Sequence, residues 1–206
     1  MNTSRMGKVP GDKLLGMVLC GGLSSRMKSD KGLLEIQGQT WVEIAINIIN
    51  PFSDRVVLSI NNTQLDSYRV FSDKHKLIVD TMPLSGPLNG LLSVHRAYPQ
   101  RDLLVLPCDL ISMTGDSIAQ LVAKYESDSN HDIYVFQNNG RMEPLVGIYR
   151  HKALANIEKE LTNPLPADNK SRHSAYYHVE RANSFYLSVN PTVAEDFKNY
   201  NSPEDL

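Results

Sequence analysis

The chain has 206 residues, 41% of them hydrophobic, and a formal net charge of −2 at pH 7. A chain of this kind can bury one sizeable core. It has no basic field that would attract long nucleic acid and no apolar stretch long enough to cross a membrane, so we expect neither kind of partner. The polar start predicts a flexible leader over residues 1–13, and a single domain is predicted over 14–206.

Short apolar runs alternate with segments of helical periodicity along the rest of the chain. The runs predict strands at residues 14–20, 54–61, 76–80, 102–109, 131–137, 143–150 and, more weakly, 184–191. The periodic segments predict helices at residues 40–49, 86–98, 114–125 and 151–160. Thr40 is the predicted N-cap of the first helix, with Glu43 three residues on. This alternation predicts an α/β sandwich with a mainly parallel sheet.

The two cysteines, Cys20 and Cys108, each end an apolar run and lack the spacing of metal ligands. We interpret them as buried, reduced thiols. The small number of cysteines and the lack of a secretory signal together predict a cytoplasmic location.

The most distinctive stretch is VLCGGLSSRMKSDKGLLEIQG, residues 18–38, which begins in the first predicted strand. In a parallel α/β sheet, ligands bind beyond the carboxyl ends of the strands. Gly21 and Gly22 let the backbone approach a ligand closely, and Arg26 and Lys31 supply positive charge, which favours a phosphate-rich ligand. The spacing fits neither the Walker loop nor the dinucleotide fingerprint, and a glycine turn beside a solvated basic face is the alternative interpretation.

Two aspartates end predicted strands and are therefore expected at the same edge of the sheet. Asp109 is the candidate Mg²⁺ ligand, because Mg²⁺ typically binds one or two carboxylates together with substrate phosphates. Asp80 ends the preceding short strand. Each aspartate has the alternative of a helix cap or a turn residue. The loop at 81–90 either lines a base or phosphate pocket or simply connects a strand to a helix.

Four motifs together resemble those of molybdenum cofactor guanylyltransferases, a MobA-like nucleotidyltransferase family. LCGGLSSRM…DKGLL resembles the family's first signature, GPLNG its G-P-L-A-G, VLPCDL its C-D-x-P segment and NYNSPEDL its closing N-x-N-T-P-E-D-L. The motifs occur in the expected order and cover most of the chain from Leu15 to Leu206. The first alone marks the wider nucleotidyltransferase superfamily, whereas the four together are specific.

The resemblance implies a three-layer α/β/α Rossmann-like fold and transfer of GMP from GTP to molybdopterin, with Mg²⁺ as the cofactor. It also implies transient contact with other molybdenum cofactor enzymes. The implied catalytic residues are Arg26, Lys31 and Asp109, of which Asp109 is the magnesium ligand. The positions that match nucleotide-contacting residues of the family are Leu19, Cys20, Gly21, Gly22, Lys31, Asn61, Asp80 and Asp109. Asn199 and Asn201 match the closing motif, which borders the active site on the pterin side.

Several positions depart from the family pattern. Cys20 stands where Ala is usual, Lys28 where Gly is usual and Glu143 where many relatives have His or Gln, and the proline expected two residues after Asp109 is absent. Rival interpretations are cytidylyl transfer, transfer to a sugar phosphate, and a nucleotide-binding module without catalysis. The paired glycines and GPLNG favour guanine, and the retained charges favour catalysis.

A basic stretch near the end of the chain is a second candidate surface. It contains Lys170, Arg172, His173, His178 and Arg181, close to Tyr176 and Tyr177. It either receives the anionic molybdopterin or forms a solvated loop and sheet edge.

Overall fold

The structure, a computed structural model, describes residues 14–21, 30–162 and 170–200. Its strands are β1 (Leu14–Leu19), β2 (Glu35–Ile36), β3 (Gln39–Thr40), β4 (Ser53–Ile60), β5 (Lys76–Val79), β6 (Leu103–Pro107), β7 (Ile133–Asn138), β8 (Arg141–Tyr149) and β9 (Ser184–Ser188). Its α-helices are α1 (Trp41–Ile49), α2 (Leu65–Tyr68), α3 (Pro87–Ala97), α4 (Gly115–Ser127), α5 (His151–Thr162) and α6 (Ala175–Arg181). Every strand and helix predicted from the sequence is present, with ends shifted by a few residues.

Seven strands form one mixed sheet in the order β5-β4-β1-β6-β8-β7-β9. Strands β5, β4, β1 and β6 are parallel to one another, as are β7 and β9, whereas β8 runs antiparallel to both of its neighbours. The predicted mainly parallel sheet is therefore confirmed. Strands β2 and β3 form a separate hairpin that the sequence analysis missed. Its turn residues Gln37 and Gly38 have φ of 51° and 79°, as a tight hairpin turn requires.

Helices cover both faces of the sheet, and the buried side chains of β1 pack into the cores on both faces. All six residues of β1 are buried, and successive side chains point to opposite faces. Val18 joins the core beneath α1 and α4, whereas Met17 and Leu19 join the core beneath α3, α5 and α6. The three-layer α/β/α arrangement is confirmed. No helix of the described segments is long and apolar enough to cross a membrane.

Helix α1 begins where the sequence predicts, at a reciprocal cap. Thr40 Oγ1 accepts a hydrogen bond from the Glu43 N–H at 3.3 Å, and Glu43 Oε2 accepts one from the Thr40 N–H at 2.8 Å. The helix ends at Ile49, and Pro51 lies in a short 3₁₀ turn, Asn50–Phe52, that leads into β4. The cap therefore fixes the direction in which the chain leaves the β2–β3 hairpin.

Helix α3 approaches the sheet closely at Gly90. A Cβ atom at this position would lie 2.4 Å from Ser59 Oγ and 3.0 Å from Leu19 Cδ2. The absence of a side chain therefore lets α3 pack directly on the carboxyl ends of β1 and β4, where the candidate site lies.

The last described residues return to the face formed by α1 and α4. A 3₁₀ helix, Pro191–Phe197, places the Phe197 ring 4.8 Å from that of Phe136, measured between centroids. Asp196 accepts a hydrogen bond from Thr114 Oγ1 at 2.6 Å. These contacts bring residues 198–200 beside the carboxyl edge of the sheet, where the Tyr200 N–H bonds to the Asp109 carbonyl oxygen.

Candidate active site

The carboxyl ends of β5, β4, β1 and β6 lie side by side at one edge of the sheet. The sheet hydrogen bonds continue past the strand ends, since the N–H groups of Cys20, Asp80 and Cys108 each donate to the neighbouring strand at 2.9–3.1 Å. Neighbouring strands lie about 4.8 Å apart. The residues that follow these strands are therefore brought together along one rim.

One half of this rim joins Gly21, Asn61 and Asp80. A Cβ atom at Gly21 would lie 3.9 Å from Asp80 Oδ2 and 3.9 Å from the backbone nitrogen of Asn61. Asn61 Oδ1 accepts a hydrogen bond from the Thr63 N–H at 2.9 Å, which caps the turn after β4. Burial raises the pKa of Asp80 to about 6, so its carboxyl is mostly ionised at neutral pH. This half of the rim therefore places the Gly21 backbone beside one half-buried carboxylate.

The other half of the rim holds a lysine–aspartate pair. Lys31 Nζ lies 3.5 Å from Asp109 Oδ2, and the two side chains are 21% and 24% exposed. Burial raises the pKa of Asp109, and the charge of Lys31 opposes that rise. The Tyr200 N–H donates to the Asp109 carbonyl oxygen at 3.0 Å, so the exposed Asn199 lies one residue from this contact.

The backbone of Leu19 and Cys20 is largely occupied within the protein. The Leu19 carbonyl oxygen accepts from the Cys108 N–H at 3.1 Å, and the Cys20 carbonyl oxygen accepts from Gln64 Nε2 at 3.0 Å. Both cysteines are buried, as predicted. Burial and the adjacent Cys108 raise the pKa of the Cys20 thiol well above its ordinary value, which makes the thiol unreactive. Each carbonyl oxygen still has one lone pair for a ligand.

The loop before α3 is held by an internal amide. Asn89 is buried, its Oδ1 accepts from the Met82 N–H at 3.0 Å, and its Nδ2 donates to the Met82 and Leu84 carbonyl oxygens at 2.9 and 2.8 Å. Gly86 adopts a φ of 87° just before the first helical residue, Pro87. The loop thus has a fixed shape beside Asp80, whichever of its two predicted uses applies.

The donor atoms at the rim fit a magnesium ion that is bound partly by substrate. Among the described residues no three His, Cys, Asp or Glu side chains converge on one point. Mg²⁺ does not need such a cluster, because it usually keeps one or two carboxylates and takes its other ligands from water and phosphates. Asp109 offers a half-buried carboxylate at a strand end, beside the positive charge of Lys31.

Comparison with known proteins decides the family. Residues 16–175 match the family model described as the MobA-like NTP transferase domain. The chain belongs to this family. A probable molybdenum cofactor guanylyltransferase from Methanothermobacter thermautotrophicus is 31% identical, with 92% of this chain and 95% of that protein covered. A probable molybdenum cofactor guanylyltransferase from a Geobacillus species is 29% identical, with 95% and 97% covered.

A solved structure agrees in fold. Molybdopterin-guanine dinucleotide biosynthesis protein A from Archaeoglobus fulgidus superposes with a TM-score of 0.73 at 19% identity, covering 93% of this chain and 94% of that one. Both the family and the Rossmann-like fold implied by the sequence motifs are therefore confirmed.

The structure brings most of the predicted site residues to the same rim. The described ones that lie along it or end the strands beneath it are Leu19, Cys20, Gly21, Lys31, Asn61, Asp80 and Asp109. Asn199 is exposed beside Tyr200. The predictions for Gly22, Arg26, Lys28 and Asn201 fall outside the described residues. The roles of all these residues in binding and catalysis stay predictions.

Three residues at the rim were missed by the sequence analysis. Gln64 bonds to Cys20 and to Asp30, and Asp30 also accepts a hydrogen bond from Tyr68. The sequence does carry a signal for Gln64. It lies three residues after Asn61, which is the spacing of a capping box. Asp30 begins the quoted DKGLL motif, although no role was predicted for it. No local pattern indicated Tyr68, which meets Asp30 across 38 residues of sequence.

The basic stretch near the end of the chain is partly used for packing. Arg172 donates to the carbonyl oxygen of Glu160 on α5, and His178 is buried with its Nε2 2.7 Å from the Arg172 carbonyl oxygen. Arg181 lies over the Tyr177 ring at 5.1 Å. These contacts favour the interpretation of a structural edge, and the reception of molybdopterin here stays a hypothesis.

Proposed function

We propose that this chain transfers GMP from GTP to the terminal phosphate of molybdopterin, forming molybdopterin guanine dinucleotide and pyrophosphate. The observation that carries the proposal is the Lys31–Asp109 pair, 3.5 Å apart at the carboxyl edge of the sheet. Two relatives that match over nearly the whole chain are named probable molybdenum cofactor guanylyltransferases, which supports GTP over CTP and molybdopterin over a sugar phosphate.

The proposed reaction requires little acid–base catalysis by the protein. A phosphate monoester is mostly dianionic at neutral pH, because its second pKa is about 6. One of its oxygens forms a bond to the α-phosphorus of GTP, while the bond from that phosphorus to the oxygen bridging the β-phosphate breaks and pyrophosphate leaves with the electron pair. The protein must therefore hold two anions in line and neutralise their charge.

The residues of the rim are suited to these two tasks. We assign charge neutralisation at the triphosphate to Lys31, whose ammonium group is a compact point charge at the rim beside Asp109. The bare backbone at Gly21 leaves room for the nucleotide, and we assign contacts with GTP to the adjoining Asn61 and Asp80. Arg26 and Gly22 are assigned to the triphosphate on the resemblance of the first motif alone.

We propose Mg²⁺ as the cofactor, held by Asp109 together with phosphate oxygens of GTP. When bound, Mg²⁺ supplies Lewis-acid stabilisation of charge on the phosphates. Asp109 is positioned by the hydrogen bond from the Tyr200 N–H to its carbonyl oxygen and by its ion pair with Lys31. A cytoplasmic location is proposed on the sparse cysteine content alone.

Turnover with defined substrates tests the proposal. The purified chain is incubated with molybdopterin, with and without Mg²⁺, and with GTP, CTP, ATP or UTP, and the dinucleotide product and pyrophosphate are quantified. We expect product with GTP only and only with Mg²⁺. Asp109→Asn is expected to lower the rate by about 100-fold or more.

The matched control for Asp109→Asn is Asp54→Asn. Asp54 is also an ion-paired carboxylate, 2.8 Å from Arg101, but it lies at the start of β4, away from the carboxyl edge. Its substitution is expected to leave the rate unchanged. Product with CTP but not GTP would move the assignment to cytidylyl transfer, and nucleotide binding without product would favour the non-catalytic module.

A further inference from the structure

A buried glutamine, Gln64, connects three separate segments of the rim. It ends the short 3₁₀ turn that follows β4 and is 6% exposed. Its Oε1 accepts a hydrogen bond from the Asn61 N–H at 2.9 Å, and its Nε2 donates to the Cys20 carbonyl oxygen at 3.0 Å and to Asp30 Oδ2. One side chain therefore bonds to the end of β4, the end of β1 and the residue before Lys31.

The orientation of this amide is determined by its partners. Cys20 presents a carbonyl oxygen and Asp30 a carboxylate, and both can only accept hydrogen bonds. Asn61 presents an N–H group, which can only donate. Reversing the Gln64 amide would place oxygen against two acceptors and nitrogen against a donor, so only one orientation satisfies all three partners.

Asp30 extends the connection to Lys31. Its Oδ1 accepts from the Gly32 N–H at 3.0 Å, which caps the 3₁₀ turn Lys31–Leu33, and from the Tyr68 hydroxyl at 2.9 Å. Tyr68 is fully buried, and burial together with nearby acidic groups raises its pKa, so it remains a hydrogen-bond donor to Asp30. The backbone of Lys31 is thereby fixed relative to Gln64.

We propose that Gln64 is a positioning residue for the nucleotide side of the reaction, acting through the Cys20 carbonyl and through Asp30. It sets the backbone beside Gly21 and the start of the Lys31 side chain at one fixed separation. This inference rests on the proposed function, in which both of these groups face GTP. Gln64 makes its side-chain bonds to Asn61, Cys20 and Asp30, whereas Asn199, the predicted pterin-side residue, lies next to the Tyr200–Asp109 contact. Loss of Gln64 is therefore expected to affect GTP rather than molybdopterin.

The decisive readout is the separate KM for each substrate. Gln64→Met keeps the length of the side chain but removes all three hydrogen bonds, and Tyr68→Phe removes only the hydroxyl group and with it the bond to Asp30. Because a misplacement of about 1 Å in a site of this kind costs about 100-fold, we expect Gln64→Met to raise the KM for GTP by about 10-fold to 100-fold. The KM for molybdopterin is expected to stay within about twofold. Tyr68→Phe is expected to show the same selectivity with a smaller change.

The matched control is Tyr125→Phe. Tyr125 also donates its hydroxyl to a carboxylate, Asp102 Oδ2 at 2.7 Å, but Asp102 precedes β6 at the opposite edge of the sheet. Loss of the Tyr125 hydroxyl is expected to leave both KM values unchanged. All variants are assayed well below their own melting temperatures, so that the folded fraction is the same.

The outcomes separate this inference from the proposed function. Loss of kcat with both KM values unchanged in Gln64→Met and Tyr68→Phe would show a merely structural role and overturn the inference, as would equal increases in both KM values. A wild-type chain that makes no dinucleotide would overturn the proposed function, and the inference would fall with it. Should Gln64→Met not fold, the KM values of Tyr68→Phe alone decide.

Discussion

Replacing Asp80 by Asn tests whether the site contains a carboxylate kept at a cost to stability. Burial is the cause of its raised pKa, and no charged partner within the described segments offsets it. An acid whose pKa is higher in the folded state binds protons more tightly there. Stability therefore falls as the pH rises between the unfolded and the folded pKa, here from about 4 to about 6, and stays low above that window.

The magnitude follows from the two pKa values. A rise from 3.8 to about 6 corresponds to about 3 kcal/mol, because each pKa unit is worth about 1.4 kcal/mol. Solvent contact at this partly exposed position screens the charge and reduces the expected cost to about 1–2 kcal/mol. Asp80→Asn keeps the shape of the side chain and removes the charge. It is therefore expected to raise the melting temperature at pH 8 by about 2–8 °C and to leave it unchanged near pH 4.

Thermal unfolding of both chains from pH 4 to pH 8 checks this expectation. Asp109, whose pKa burial also raises, is present in both chains and cancels in the difference. A difference in melting temperature that does not grow between pH 4 and pH 8 would refute the reasoning on burial. In the same variant we expect kcat/KM for GTP to fall by about 10-fold, because Asp80 lies beside Gly21 on the nucleotide side. A more stable protein with unchanged use of GTP would remove Asp80 from the site.

Three further substitutions separate the site from the scaffold. Lys31→Met is expected to lower kcat/KM for GTP by about 100-fold and to raise the pKa of Asp109 further, and unchanged GTP kinetics would make Lys31 a surface charge only. Gly90→Ala is expected to destabilise the fold by about 1–3 kcal/mol in urea unfolding through its clash with Ser59, and an added Ser59→Ala should recover part of that loss. Thr40→Ala is expected to cost about 1 kcal/mol in the same assay through loss of the cap, with the KM for GTP unchanged.

The sheet and its helices were predictable because their signals are local. Strand β1 is buried on both faces, so its six residues form one unbroken apolar run. Helix α1 carries its cap in two residues, Thr40 and Glu43, that lie three apart. The β2–β3 hairpin was missed because each strand has only two residues, too few to show alternation. Helix α6 was missed for a related reason, since its seven residues span only two turns.

The candidate site was predictable where strand ends place residues and unpredictable where side chains connect them. Asp80 and Asp109 could be placed at one edge because parallel strands share a direction. The bond between Gln64 and Asp30 joins positions 34 apart, and the Lys31–Asp109 pair joins positions 78 apart. Which side chains meet at such separations depends on the lengths of the intervening loops, and the sequence carries no periodic signal for that.

Because these contacts join residues far apart in sequence, the site forms only after the strands that carry them have been aligned. The Lys31–Asp109 pair forms only when β1 and β6 are aligned, and the Gln64 bonds form only when β1 and β4 are aligned. Both alignments share β1, whose buried side chains contribute to both cores. A substitution that weakens β1 is therefore expected to disrupt the Lys31–Asp109 pair and the Gln64 bonds together. A substitution in β9, at the far edge of the sheet, should change stability without changing the use of either substrate.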